Sequence, residues 1–368
     1  MIRFNKSQTA LNAICPYFTM FPLDFPLKIL SRYAEPHDWV LDPFCGRGTT
    51  NFAARLVGLE SVGVDSSPVA AAITASKLVK TTTQEIIDEA KAILETPASV
   101  QQPKGEFWKW AYHIDTLKAL CLFRSAFLQE CSTPKRIALR GIVLGALHGP
   151  KRKTLQSYFS NQCPRTYAPK PDYATRFWKA RSLKPASVDV LDIIERRANR
   201  YFSHLPPARG QIRLADSRKI EAVKTTCHKS KFDWIITSPP YYGMRTYIPD
   251  QWLRNWFVGG SPSVDYSNDN QVVHSGQTDF VKDLRIVWKN IAAISSNQAK
   301  LIIRFGGLND RLVDPKHIIK KSLINSGWRI TTIIKKEGDI YKGKRQADTF
   351  LVKKSKPIDE YIIWAKKH

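Results

Sequence analysis

Two spacings of apolar residues take turns along this chain, and their order predicts its architecture. One is a short apolar run of strand length; the other is an apolar face recurring at helical period. Asp38-Trp39-Val40-Leu41 reads as a short buried strand. A glycine-rich turn follows over residues 42–50, then a helix over residues 51–57 that closes at Gly58. Residues 61–64 predict the next strand, ending at Asp65, and Ser66-Ser67-Pro68 caps a helix running through AAAITASKLV. The alternation resumes after residue 210. Residues 211–214 form a strand ending in Ala215-Asp216-Ser217, and residues 232–236 a strand ending in TSPPYYG at 237–243. A helix over 278–295 and a strand over 300–305 come next. Residues 328–335 and 347–354 then predict an antiparallel hairpin around Gly338 and Gly343. The expected fold class is α/β, a doubly wound, mostly parallel sheet covered on both faces.

Residues 81–210 interrupt this pattern. They read as mainly helical and are broken by prolines, with the stretch 148–184 the least regular. Three parts are therefore expected. Residues 1–80 open the α/β domain, residues 81–210 form a helical insertion, and residues 211–368 complete the domain.

Charge sharpens the picture. Lys and Arg number 57 against 32 Asp and Glu, a net charge of +25 that points to a polyanionic partner such as nucleic acid. Its distribution is uneven. Residues 135–184 carry twelve basic residues against the single acid Asp172, and residues 320–356 carry eleven against three. Residues 1–80 are nearly balanced, with eight basic residues and six acids. Other classes recede. No apolar run is long enough to span a bilayer. The N-terminus lacks signal-peptide features, so a cytoplasmic, nucleoid-associated location is expected. The six cysteines form no CxxC pair and no ligand spacing with histidine, so no metal site and no disulfide framework are expected.

Two motifs carry the chemistry. In doubly wound sheets ligands bind beyond the carboxyl ends of the strands. Gly46 and Gly48 sit in such a turn and let the backbone approach a ligand, while Asp65 at the end of the next strand is placed to accept hydrogen bonds from a ribose. The turn lacks the lysine of a phosphate-binding loop and the third glycine of dinucleotide spacing. The second motif is Thr237-Ser238-Pro239-Pro240-Tyr241 after an apolar strand. Consecutive prolines fix the backbone and remove two N–H donors, leaving carbonyls and the Ser238 hydroxyl as acceptors for an amino group. The aromatic ring that follows offers a surface on which a base can stack.

Together these motifs resemble the amino-methylating DNA methyltransferases of bacterial modification systems. Asp42-Pro43-Phe44-Cys45-Gly46-Arg47-Gly48-Thr49-Thr50 is similar to their cofactor motif DPFCGSGTT, with Arg47 where serine is usual. Residues 237–241 are similar to their catalytic motif, and Tyr17-Phe18-Thr19-Met20-Phe21-Pro22 to the element that packs on the methionine end of the cofactor. Asp65 and Ser66 match the ribose-binding position, and Asp216 and Ser217 the position that contacts the adenine ring. The resemblance covers roughly residues 15–80 and 211–310.

It implies a Rossmann-like methyltransferase fold, S-adenosylmethionine as cofactor and double-stranded DNA as substrate. A flipped base would present its exocyclic amine to Ser238 and the Pro239 carbonyl, with Tyr241 stacked on the base and Pro240 fixing the turn. Cys45 would be a packed thiol, since direct transfer needs no nucleophile. Serine in the catalytic motif is more typical of cytosine-N4 members, so cytosine is expected ahead of adenine N6. DNA contacts are expected from Lys151, Arg152, Lys153, Asn161, Gln162, Arg165, Tyr167 and Lys170 in the insertion. Tyr242 and Arg245 behind the catalytic motif, and Lys344 and Arg345 in the closing hairpin, are expected beside the DNA as well. A cognate restriction endonuclease and a monomeric state go with this expectation. An RNA or tRNA amine methyltransferase, a non-catalytic DNA-binding subunit and a nicotinamide oxidoreductase are the alternatives.

Overall fold

The computed structural model of the chain describes residues 4–17, 21–149, 156–163, 169–219, 231–243, 247–264, 276–307, 313–336 and 360–368. Seven strands form one sheet in the order β3-β2-β1-β4-β5-β7-β6. They are β1 (Trp39–Asp42), β2 (Glu60–Asp65), β3 (Gln211–Leu214), β4 (Phe232–Thr237), β5 (Ser295–Gly306), β6 (Trp328–Lys336) and β7 (Glu360–Lys367). The pairs from β3 to β5 are parallel, and β7 lies antiparallel between β5 and β6. The fold is thus the expected doubly wound, Rossmann-like α/β sheet with an antiparallel C-terminal pair.

That closing pair corrects one expectation. The partner of β6 is β7, whose range begins at residue 360; residues 347–354 lie outside the described residues. Both segments are apolar runs of strand length, and period alone does not say which of them pairs.

The sheet is covered on both faces because its strands alternate. Leu41, Ile235, Leu301, Ile303 and Ile363 point to one face, where they pack on α11 (Gln277–Ala293) and α12 (Pro315–Leu323). Val40, Trp234, Ile236, Ile302 and Ile362 point to the other, against α1 (Asp24–Tyr33) and α2 (Thr49–Leu56). Helix α3 (Pro68–Ser76) follows β2, its Ser67 side chain capping the first turn from Ala70 N–H at 3.3 Å.

Residues 83–202 are mainly helical, as expected. They supply α4 (Thr83–Glu95), α5 (Glu106–Ala111), α6 (Ile114–Gln129), α7 (Pro134–Ala146), α8 (Pro171–Lys179) and α9 (Val190–Phe202). Their buried side chains share one cluster with Phe52, Leu56, Val69 and Ile73 from α2 and α3. The approach is close at α7, where Gly141 faces Ser76 and Gly145 faces the Ile14 carbonyl. A Cβ at Gly145 would lie 1.9 Å from that oxygen, and one at Gly141 2.4 Å from Ser76 Cβ.

A group of aromatic rings ties α10 (Tyr247–Phe257) into the same helices. Trp252 packs edge-on against Phe107 at 4.9 Å, and Trp256 lies 4.6 Å from Trp108. The Trp252 indole also donates to the Pro169 carbonyl at 2.8 Å. Helix α10 begins four residues after the Tyr242-Gly243 turn.

Alanine in a helix is worth about 1 kcal/mol more than glycine on propensity alone. Gly145→Ala is nevertheless expected to lower the unfolding free energy by about 1–3 kcal/mol through overpacking against Ile14. Urea denaturation measures this; an unchanged or raised midpoint would mean that α7 does not approach the Ile14 carbonyl.

Candidate active site

Strand order reverses at the junction between β1 and β4, which is where an open α/β sheet forms a crevice. Both motifs end there. Val40 and Leu41 pair with Trp234 and Ile235, so Asp42 and Thr237 emerge side by side. The Thr237 hydroxyl donates to Asp42 Oδ1 at 2.6 Å, and Phe44 N–H donates to the same oxygen at 3.1 Å. Asp42 is 1% exposed, and burial pushes its carboxyl up to about 6, with Thr237 and Phe44 opposing and the charge of Asp65 adding to the rise.

The glycine turn takes the shape its glycines allow. Gly46 has φ 52° and Gly48 φ 72°, in the left-handed region where a side chain is costly. A Cβ on Gly48 would also lie 2.6 Å from Thr74 Cγ2, so no larger residue fits between α2 and α3. Asp65 organises the turn from the neighbouring strand. Its Oδ2 accepts Gly46 N–H at 2.8 Å and its Oδ1 accepts Ser67 N–H at 2.9 Å. Burial raises the Asp65 carboxyl, and those two N–H groups oppose the rise. Thr74 completes the frame by donating to the Gly46 carbonyl at 2.9 Å.

The remaining cofactor-motif residues divide into framework and rim. Thr50 is buried and donates to the Ile236 carbonyl at 3.1 Å, which joins α2 to β4, and Thr49 is buried beside it. Cys45 is buried, and burial together with Asp65 and Asp42 pushes its thiol well above the usual range. Phe44 packs edge-on against Trp288 at 6.1 Å. Tyr17 lies next to the turn, 3.7 Å from where a Gly46 Cβ would be. Ser66 is exposed at the rim. Phe18 and Thr19 lie outside the described residues.

The loop after β3 joins the same cluster. Ser217 donates to the Pro43 carbonyl at 2.6 Å. Asp216 is held by Arg218, whose Nε and Nη2 reach its two oxygens at 3.1 and 2.7 Å while Nη1 reaches Asp283 at 3.0 Å. Burial would raise the Asp216 carboxyl, but the Arg218 hydrogen bonds and charge outweigh it and hold the group below its usual range. Arg218 was no candidate in the sequence, since its partner Asp283 is 65 residues away on α11.

In the Ser-Pro-Pro-Tyr motif Pro239 is buried, while Ser238, Pro240, Tyr241 and the following Tyr242 are half-buried. The Tyr241 hydroxyl donates to Glu360 Oε1 at 3.0 Å and its ring meets Phe305 edge-on at 5.4 Å. Tyr242 packs edge-on against Phe280 at 5.4 Å.

The expected DNA-facing residues fare unevenly. Lys151, Arg152, Lys153, Arg165, Tyr167, Arg245, Lys344 and Arg345 lie outside the described residues. Lys170 is exposed at the start of α8, and Arg176, Lys179, Arg181 and Lys184 are exposed beyond it. Asn161 is half-buried. Its amide donates to the Trp110 and Leu183 carbonyls at 3.2 and 2.6 Å, and its oxygen accepts Gln162 N–H at 3.0 Å. Both amide hydrogens are thus bonded to backbone carbonyls. Gln162 has a buried Oε1 without a hydrogen-bond partner among the described residues, while its carbonyl accepts from Trp178 at 3.1 Å. No group of His, Cys, Asp or Glu among the described residues could hold a metal ion, and no described helix is long and apolar enough to cross a membrane.

Comparison with known proteins bears on the turn. Residues 3–76 match a family profile described as DNA methylase. Over 45 residues the chain is 40% identical to the type II methyltransferase M.MthZI of Methanothermobacter thermautotrophicus, a stretch spanning 12% of this chain and 13% of that protein. Among solved structures, the rRNA methyltransferase AviRa from Streptomyces viridochromogenes is 13% identical, with 99% of this chain and 94% of that chain covered at a TM-score of 0.36. Magnesium protoporphyrin IX methyltransferase from Synechocystis PCC 6803 with bound SAM is 9% identical, with 94% and 78% covered and a TM-score of 0.36. Neither superposition is close enough to carry an argument about the site.

The buried carboxyl of Asp42 sets a pH dependence. Its value in the folded chain, about 6, lies above the ordinary 3.8, so the folded state binds this proton more tightly than the unfolded chain does. Stability from this group is full below about pH 4 and is lost as pH rises through 6. Asp42→Asn removes the titration. Relative to the parent, the variant is expected to gain roughly 3 kcal/mol in unfolding free energy between pH 4 and pH 8. Urea unfolding across that range tests it, and a difference that stays flat with pH would refute it.

Proposed function

We propose that this protein is an S-adenosylmethionine-dependent methyltransferase that modifies the exocyclic amine of a base flipped out of double-stranded DNA, with cytosine N4 ahead of adenine N6. The observation that carries this reading is the Thr237–Asp42 hydrogen bond at 2.6 Å, which couples the acceptor-rich proline motif to the glycine turn at the switch point of the sheet. The match of residues 3–76 to a DNA methylase profile supports the same assignment for the turn.

The residues around the turn suit this cofactor. Asp65 ends β2 and Asp216 lies two residues beyond β3, two carboxylates beside a backbone that only glycine allows, with Asp42 buried beneath the turn. Such an acceptor set fits a molecule bearing ribose hydroxyls, an adenine amine and two positive charges, on its sulfonium and its ammonium group. It fits poorly with an anionic phosphate. When bound, S-adenosylmethionine supplies an electrophilic methyl group.

The chain's own residues position the acceptor. Ser238 Oγ and the Pro239 carbonyl accept hydrogen bonds from the exocyclic amine, which draws its lone pair out of conjugation with the ring. Pro239 and Pro240 hold these acceptors rigidly, so little reorganisation is needed at the moment of transfer. Tyr241 stacks on the flipped base and offsets part of the unstacking cost of a few kcal/mol. Cys45 takes no covalent part, because its raised thiol is not a nucleophile. Exposed Lys170, Arg176, Arg181 and Lys184 meet the phosphate backbone.

Two measurements test these roles. With tritiated S-adenosylmethionine and unmethylated genomic DNA, nucleoside mass spectrometry is expected to find N4-methylcytosine. N6-methyladenine would overturn the choice of base, and label in RNA alone would overturn the substrate class. Ser238→Ala is expected to lose at least about a hundredfold in turnover while binding cofactor normally; full turnover would remove Ser238 from the mechanism.

DNA affinity is expected to fall steeply with salt. Replacing Arg176, Arg181 and Lys184 together by alanine should lower the slope of log affinity against log salt by about one for each phosphate that is no longer neutralised. An unchanged slope would place the DNA elsewhere on the surface.

A further inference from the structure

Tyr241 is held more firmly than its place in a loop suggests. Its hydroxyl donates to Glu360, the first residue of β7, at 3.0 Å. The register of β5 and β7 sets Glu360 directly opposite Gly306, and the Tyr241 ring lies over that glycine. A Cβ on Gly306 would come within 3.2 Å of both Cζ and the hydroxyl oxygen, so glycine there leaves room for the ring. Phe305 braces the ring edge-on at 5.4 Å.

Glu360 is itself fixed. Its other oxygen, Oε2, forms an ion pair with Arg304 Nη2, two residues before Gly306 on β5. Arg304 is 4% exposed and its guanidinium lies 5.5 Å from the centre of the Phe25 ring on α1. The order is thus aromatic ring, guanidinium, carboxylate and phenol, running from α1 through β5 and β7 to Tyr241. Glu360 thus meets the buried guanidinium through one oxygen and accepts from the phenol through the other.

Resting on the proposed role of Tyr241, we propose that Glu360 and Arg304 are positioning residues of the methyl-transfer site. They lock the Tyr241 ring in the orientation that receives the flipped base. They touch neither base nor cofactor; they act through the phenol. The benefit is entropic. A tyrosine ring already fixed before the base arrives loses little freedom when the base stacks on it.

The test compares Tyr241→Phe, Glu360→Gln, Glu360→Ala and the double variants Tyr241→Phe/Glu360→Gln and Tyr241→Phe/Glu360→Ala in tritiated methyl transfer to genomic DNA, with cofactor affinity and thermal midpoint measured beside it. Tyr241→Phe keeps the ring and removes only the tether, and is expected to lower kcat about tenfold with cofactor affinity within about twofold of the parent. Glu360→Gln keeps an acceptor and should lie closer to the parent than Glu360→Ala. In the Tyr241→Phe background the difference between Gln and Ala at 360 should disappear, which a merely structural role of Glu360 would not produce. Wild-type kcat in Tyr241→Phe, or effects of the 360 substitutions that persist undiminished in that background, overturn the proposal. If a Glu360 variant does not fold, Tyr241→Phe alone decides. Tyr241→Ala separates the two levels: full turnover there refutes the stacking role itself, whereas loss there with an unaffected Tyr241→Phe refutes only the tether.

Discussion

A carboxyl group and a hydroxyl meet in the interior where β1 and β4 end side by side, and the rest of the site is arranged around them. Asp42 and Thr237 are 195 residues apart in sequence and 2.6 Å apart in space. A buried carboxyl is costly unless it is hydrogen-bonded, and here Thr237 and the Phe44 N–H supply the bonds. Their joint effect is geometric. Ser238 follows Thr237 directly and the glycine turn follows Asp42 directly, so fixing this pair fixes the spacing between the two motifs.

Every neighbouring strand end adds a brace to the same point. Asp65 on β2 fixes the glycine turn through Gly46 N–H, and Ser217 beyond β3 fixes it through the Pro43 carbonyl. Arg218 ties the Asp216 carboxylate to α11, and Glu360 on β7 ties Tyr241 to β5. The helices join in through α10, whose Trp252 and Trp256 lie in the aromatic cluster of the helical part.

Much of the site was legible because its chemistry is local. Gly46 and Gly48 announce themselves, since a left-handed turn after a strand demands glycine. Two prolines behind an apolar strand fix the backbone and remove two donors, which marks a rigid turn. Partners brought in from far along the chain left no such trace. Arg218 and Glu360 are ordinary charged residues in sequence; α11 brings the Asp283 carboxylate to Arg218, and the place of β7 beside β5 sets Glu360 under the Tyr241 phenol. Asn161 shows the converse: a polar residue in a basic stretch bonds the carbonyls of Trp110 and Leu183, which its local sequence does not reveal.

The sequence by itself determined what repeats at short range: strand and helix periods, the turn glycines, the acids at the strand ends and the excess of basic charge. These follow from backbone sterics and from the burial of one face, which act within a few residues. Only the tertiary structure decided which strands are neighbours, that β7 is inserted between β5 and β6, and which side chains share a hydrogen bond across more than a hundred residues. Such choices depend on the packing of whole faces against one another. Many strand orders satisfy the same local pattern, and the complementarity of the two buried faces selects among them.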